Sequence, residues 1–129
     1  MKKFKFGKLV RDKIVDAIIQ AGNKPIHRRL GREEYVKELK KKLKEEVGEF
    51  CDEDKINLSE LADVEELIQS LLIEGGFSKE DLDKERMKKN ASNGKFNKKL
   101  YVDFVEAKDD SEWVGYYLAR PKQYPEIDK

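Results

Sequence analysis

The sequence predicts an all-α protein: four principal helices in a bundle, with a small β element near the C-terminus. Apolar residues recur at spacings of three and four over several long stretches. Glycine, proline and capping residues punctuate those stretches, leaving short connectors. Near residue 100 the pattern changes to one of period two, the period of a strand. At 129 residues the chain has the size of one ordinary domain, and its 43% charged and 38% apolar content suits thin amphipathic helices with much solvated surface. The same composition suits a core completed in part at a subunit interface.

Leu9, Ile14, Ile18 and Ile19 mark a first helix over about residues 9–21, closed by Gly22-Asn23. Pro25 opens a connector through His27-Arg28-Arg29-Leu30. A long second helix is expected over about residues 32–52, with its stripe at Tyr35, Val36, Leu39, Leu43, Val47 and Phe50. Asn57 is a good N-cap for the third, and Glu60, three residues on, completes a capping-box pattern. Leu58, Leu61, Val64, Leu67, Ile68, Leu71 and Leu72 form the third stripe, and Gly75-Gly76 ends it. Ser78 and Asp81 cap a fourth helix running to about Ala91, and Asn93-Gly94 makes a turn. Leu100, Val102 and Phe104 alternate with Tyr101, Asp103 and Val105, so residues 98–106 read as a strand. Residues 1–106 form the expected domain. Residues 107–129 are a polar tail with Trp113, Tyr116, Tyr117 and Tyr124, in which Pro121 and Pro125 oppose a long terminal helix.

Bulk properties exclude several classes. A net charge of +1 and the lack of a continuous basic-aromatic face disfavour nucleic-acid binding. No apolar run approaches the ~20 residues of a membrane span, and the first residues lack the apolar stretch of a signal peptide. Cys51 is the single cysteine, so neither an intrachain disulfide nor a thiolate zinc site can form. A cytoplasmic setting is expected.

Two acidic clusters carry the chemistry. Glu45-Glu46-Val47-Gly48-Glu49 lies on the second helix and Glu60-Leu61-Ala62-Asp63 on the third. Glu46 with Glu49, and Glu60 with Asp63, are three residues apart and share a helix face. Glu46 interrupts the stripe between Leu43 and Phe50, and Asp63 stands in the same relation to Leu67. A charge on a core-facing stripe is costly unless paired or metal-bound. Oxygen-only donors suit a hard ion, Mg2+ first, and Mg2+ held this way commonly serves a phosphate substrate. The plainer alternative is a solvated face: Glu45 and Glu49 beside Lys41, Lys42 or Lys44, and Glu60 as a cap only.

The pattern Glu45-Glu46-x-x-Glu49 followed by Glu60-x-x-Asp63 resembles the signature of MazG-type nucleoside triphosphate pyrophosphohydrolases. The opening Lys8-Leu9-Val10-Arg11-Asp12-Lys13-Ile14 is similar to the start of their phosphoribosyl-ATP pyrophosphohydrolase-like branch, as are Arg86, Lys89, Gly94, Phe96 and Leu100-Tyr101-Val102 further on. The chain departs from that branch at Val15, where proline is usual, and at Lys95, where a second glycine is usual. The resemblance implies Glu46, Glu49, Glu60 and Asp63 as ligands of Mg2+, with Mn2+ as a substitute. It implies Glu45 and Glu46 as catalytic groups, Glu45 helping a second ion or orienting the attacking water. The implied reaction cleaves a nucleoside triphosphate to the monophosphate and pyrophosphate. It also implies a homo-oligomer, dimer or tetramer. Arg86 and Lys89, three apart on the fourth helix, are the expected phosphate-binding pair, with Asn90 and Arg11 as weaker candidates. The rivals are phosphoribosyl-ATP hydrolysis and a non-catalytic helical binding module. His27 is the sole histidine and suits a connector role. Gly75-Gly76 is a terminator with no Walker pattern after it. Trp113 and the tail tyrosines suit packing better than base stacking.

Overall fold

The computed structural model describes residues 1–127, and the last two residues of the expected tail, 128 and 129, lie outside them. The described residues are all-helical: α1 (Ile14–Gln20), α2 (Arg32–Asp52), α3 (Leu58–Gly75), α4 (Lys79–Asn93) and α5 (Glu112–Leu118). They divide into two compact units, one up to Ser92 and one from Asn93 onward.

In the first unit α2 and α3 form the one extensively packed pair among the described helices. A short connector makes them antiparallel. Arg32 at the start of α2 donates to the Glu74 carbonyl at the end of α3 (2.9 Å), and its Nε lies 3.6 Å from the Glu74 carboxylate. Leu39 of α2 and Leu67 of α3 are the buried core, and the rest of both stripes is half-buried or exposed.

Local signals set the ends of α3. The Asn57 side chain accepts from the Glu60 N–H (3.2 Å), as expected of an N-cap. At the other end Gly76 is left-handed (φ 76°), the Gly76 N–H bonds the Ile73 carbonyl and the Phe77 N–H bonds the Leu72 carbonyl. This is a Schellman closure, which L side chains oppose at the left-handed position. A Cβ at Gly75 would fall 2.9 Å from the exposed Phe77 ring, which would have to shift. Ser78 and Asp81 cap α4 reciprocally: Asp81 N–H to Ser78 Oγ at 3.0 Å, Ser78 N–H to Asp81 Oδ2 at 2.9 Å.

Two expectations need correction, and the tail, to which the sequence assigns no structure, gains a helix. The first helix begins at Ile14, not near residue 9. Lys13 occupies its N-cap without a side-chain bond, and Leu9, five residues before Ile14, lies off the helical spacing. Its C-terminal end is the expected one: Gly22 is left-handed (φ 84°) and the Asn23 N–H reaches the Ile18 carbonyl. Secondly, residues 98–106 form no strand, and the C-terminal β element is absent from the described residues. Their alternation is real, but a strand needs a partner for its backbone groups, and the turn from Phe96 to Lys99, with Lys99 at φ 57°, delivers the segment to none. The tail contains a fifth helix. Ser111 caps α5 through the Trp113 N–H (3.2 Å), and a turn after Arg120 returns Tyr124 to it. Trp113, Tyr116, Tyr117 and Tyr124 cluster at centroid distances of 5.0–6.2 Å, Trp113 stacked on Tyr117 and the other pairs edge-to-face or tilted, and the Arg120 guanidinium lies 3.9 Å over the Tyr116 ring. These aromatics are the packing of the second unit.

Candidate functional site

The α2–α3 hairpin sets the acidic clusters on facing helices. Glu46 and Asp63 are half-buried, as their places on the stripes imply, whereas Glu45 and Glu49 are exposed. Glu60 is half-buried, and its Oε2 is sealed from solvent with no hydrogen-bond partner. Its carboxyl makes no return bond to the Asn57 N–H, so the capping box is one-sided: Asn57 caps α3 and Glu60 is left for another task.

The Glu60 pKa is raised, first by burial, then by the Glu53 carboxyl, which can share a proton with it, and then by the negative charge of Glu49 and Glu46. Carboxyl groups from both helices are thus close enough to oppose one another's ionisation. Glu53 was not among the expected residues. It sits at the C-cap of α2, four residues after Glu49 and seven after Glu46. That spacing continues their face, and the apparent start of a loop concealed it.

Asp63 has a different neighbour. Arg11 donates from its Nη2 to Asp63 Oδ1 at 2.7 Å, tying the segment before α1 to α3. Arg11 was expected at a phosphate. The bond uses one of the five N–H donors of the guanidinium, so the others can meet an anion beside Asp63. Both side chains are about half exposed, at 57% and 42%. A pair so exposed contributes ~1 kcal/mol or less. Arg11→Ala is therefore expected to leave the melting temperature nearly unchanged. By releasing Asp63 it should tighten Mg2+ binding to the substrate-free protein by roughly the few-fold that such a pair is worth. Calorimetric titration with Mg2+ alone measures this, and unchanged or weaker binding would separate Asp63 from the cation.

Arg86 and Lys89 are exposed on α4, Asn90 is half-buried there, and neither basic residue makes an ion pair among the described residues. The pairs present elsewhere are Arg28 with Glu34, two bonds of 2.8–2.9 Å that raise the Arg28 pKa and lower that of Glu34, and Arg32 with Glu74.

As the side chains stand, no three His, Cys, Asp or Glu groups among the described residues are gathered as ligands of one ion. The donor chemistry nevertheless fits a hard divalent cation. The donors are all carboxylate oxygens, one of them buried without a partner, and their mutual repulsion is the kind a cation relieves. No family model, curated protein or solved structure matches the chain. The family resemblance therefore rests on the motif residues alone.

Proposed function

We propose that the chain is a Mg2+-dependent nucleoside triphosphate pyrophosphohydrolase, releasing nucleoside monophosphate and pyrophosphate. The observation that carries this reading is the buried, partnerless oxygen of Glu60 among the carboxyls of Glu46, Glu49 and Glu53. Such an arrangement costs stability in the metal-free protein and is recovered when a cation binds. Glu46, Glu49, Glu60 and Asp63 would hold the ion after side-chain rotation, Glu53 adding charge from the end of α2. The bound ion would supply phosphate neutralisation and a more acidic water. Glu45, exposed beside Glu46, would orient the water. Arg86 and Lys89, with Asn90 and Arg11, are the phosphate-binding groups of this reading.

The reading includes a homo-oligomer. Two buried leucines are a small core for this length, and the large apolar side chains left open include Ile56, Leu58 and Ile73, each at least 75% exposed. Apolar surface of that extent is commonly an interface. No helix among the described residues is long and apolar enough to cross a membrane, and we take the cytoplasm as the setting.

A panel of nucleoside triphosphates with Mg2+, read for both pyrophosphate and orthophosphate, tests the function. Pyrophosphate from at least one triphosphate is expected, with Mn2+ replacing Mg2+. Phosphoribosyl-ATP belongs in the panel because the same carboxylates would serve it. Absence of turnover across the panel, together with absence of Mg2+ binding, would leave the non-catalytic module.

A further inference from the structure

Residues 100–107 are open in both backbone and side chains. The backbone bonds on either side, Lys99 N–H to the Phe96 carbonyl and Ser111 N–H to the Lys108 carbonyl, leave none across this segment. Its side chains are apolar and open: Leu100, Tyr101, Val102, Phe104 and Val105 are 57–86% exposed. A run rich in β-branched and aromatic residues, with unpaired backbone donors and acceptors, is a template for strand addition.

The order of its residues identifies what adds to it. On one face of an extended chain over residues 100–106 stand Leu100, Val102, Phe104 and Glu106. That face is self-complementary about Val102. In an antiparallel pairing of two copies with Val102 on the two-fold axis, Leu100 lies opposite Phe104 of the second copy and Val102 opposite its own equivalent. The lysines Lys98 and Lys99 come beside Glu106 of the second copy. Apolar and opposite-charge pairs across strands are the favourable ones. A register centred on Asp103 would instead set two carboxylates face to face, which is unfavourable. A two-fold pairing also satisfies the backbone groups of both copies with one interface.

We propose that residues 100–106 are a self-recognition strand, pairing antiparallel with the same segment of a second copy of this chain about Val102. The segment is a strand only in that pair, consistent with its irregular conformation in the single chain. This surface is independent of the proposed catalysis and of any contact made by α2 and α3.

Cysteine cross-linking of the full chain tests the pairing. The exposed Cys51 is first replaced by Ser. Single cysteines are then placed by Val102→Cys and, as the control, Val105→Cys. Tyr101→Cys and Asp103→Cys are mixed in equal amounts. A disulfide requires closely opposed Cβ atoms, so the Val102 pair or the mixed pair should oxidise at least about tenfold faster than the control. Successive pairings alternate between narrow and wide spacing, so the Val102 pair and the mixed pair fall in opposite classes and one of them meets the favourable geometry. If neither outruns Val105→Cys, the pairing is overturned. All four positions are exposed, so the substitutions leave folding intact.

Discussion

Glu60→Gln is expected to make the metal-free protein more stable at neutral pH while removing Mg2+-dependent turnover. The sign follows from the raised Glu60 pKa. In the folded chain the carboxyl holds its proton to higher pH than in the unfolded chain, where it titrates near 4.5. The resulting stability is fully present below the unfolded value and is lost as pH rises through the folded value. Glutamine does not titrate and leaves no buried charge among Glu46, Glu49 and Glu53. Its melting temperature should therefore exceed that of the natural protein above that window and converge with it at low pH. Glu34 and Asp81, whose pKa values are lowered by Arg28 and by the Ser78 backbone N–H respectively, act in the opposite sense and lose stability as pH falls. They are common to both proteins, so the difference between the two melting curves isolates Glu60. Added Mg2+ should raise the melting temperature of the natural protein at neutral pH by mass action and leave that of Glu60→Gln unmoved. Loss of turnover should be on the order of 100-fold or more, the scale of removing one group that stabilises developing charge. A variant that melts lower than the natural protein at neutral pH would make Glu60 a structural residue and remove the argument for a cation.

The parts legible in the sequence were those fixed by local chemistry. The bounds of α2 follow from the stripe that runs from Tyr35 to Phe50, and those of α3 from Asn57 at one end and Gly75-Gly76 at the other. The cap of α4 was equally local, since Ser78 and Asp81 are three residues apart. Leu9 stands five residues before Ile14, off the three-and-four spacing of α1, and is not helical. In residues 98–106 alternation reported an ability to pair, and the single chain contains no partner. α5 escaped notice because seven residues are too few for a stripe, although Ser111 before Glu112-Trp113 is a cap signal. In the site, the half-burial of Glu46, Glu60 and Asp63 was readable from their stripes. The pairing of Arg11 with Asp63 was not, because it joins positions 52 residues apart and no local rule selects one carboxylate for that guanidinium.

The bond that is cut distinguishes the proposed reaction from ordinary triphosphate hydrolysis, and reaction in 18O-labelled water should place the label in the nucleoside monophosphate. The expectation follows from where positive charge is available. Arg86 and Lys89 lie one helical turn apart on α4 and are exposed without a carboxylate partner among the described residues. In the proposed complex they hold the outer phosphates while Glu45 orients water toward the α phosphorus. Attack there breaks the bond between the α phosphorus and the bridging oxygen, and the two outer phosphates leave as one pyrophosphate whose charge meets these side chains. Lys89→Ala should then lower kcat/KM by about tenfold or more, the scale of losing a hydrogen bond to a charged group. Its Mg2+ binding, measured without nucleotide, should be unchanged because the carboxylates are on α2 and α3. If the label appears in orthophosphate with a nucleoside diphosphate as product, water has attacked the γ phosphorus. The basic face of α4 would then have no leaving pyrophosphate to stabilise, and the proposed division of labour between the two sets of helices would fail.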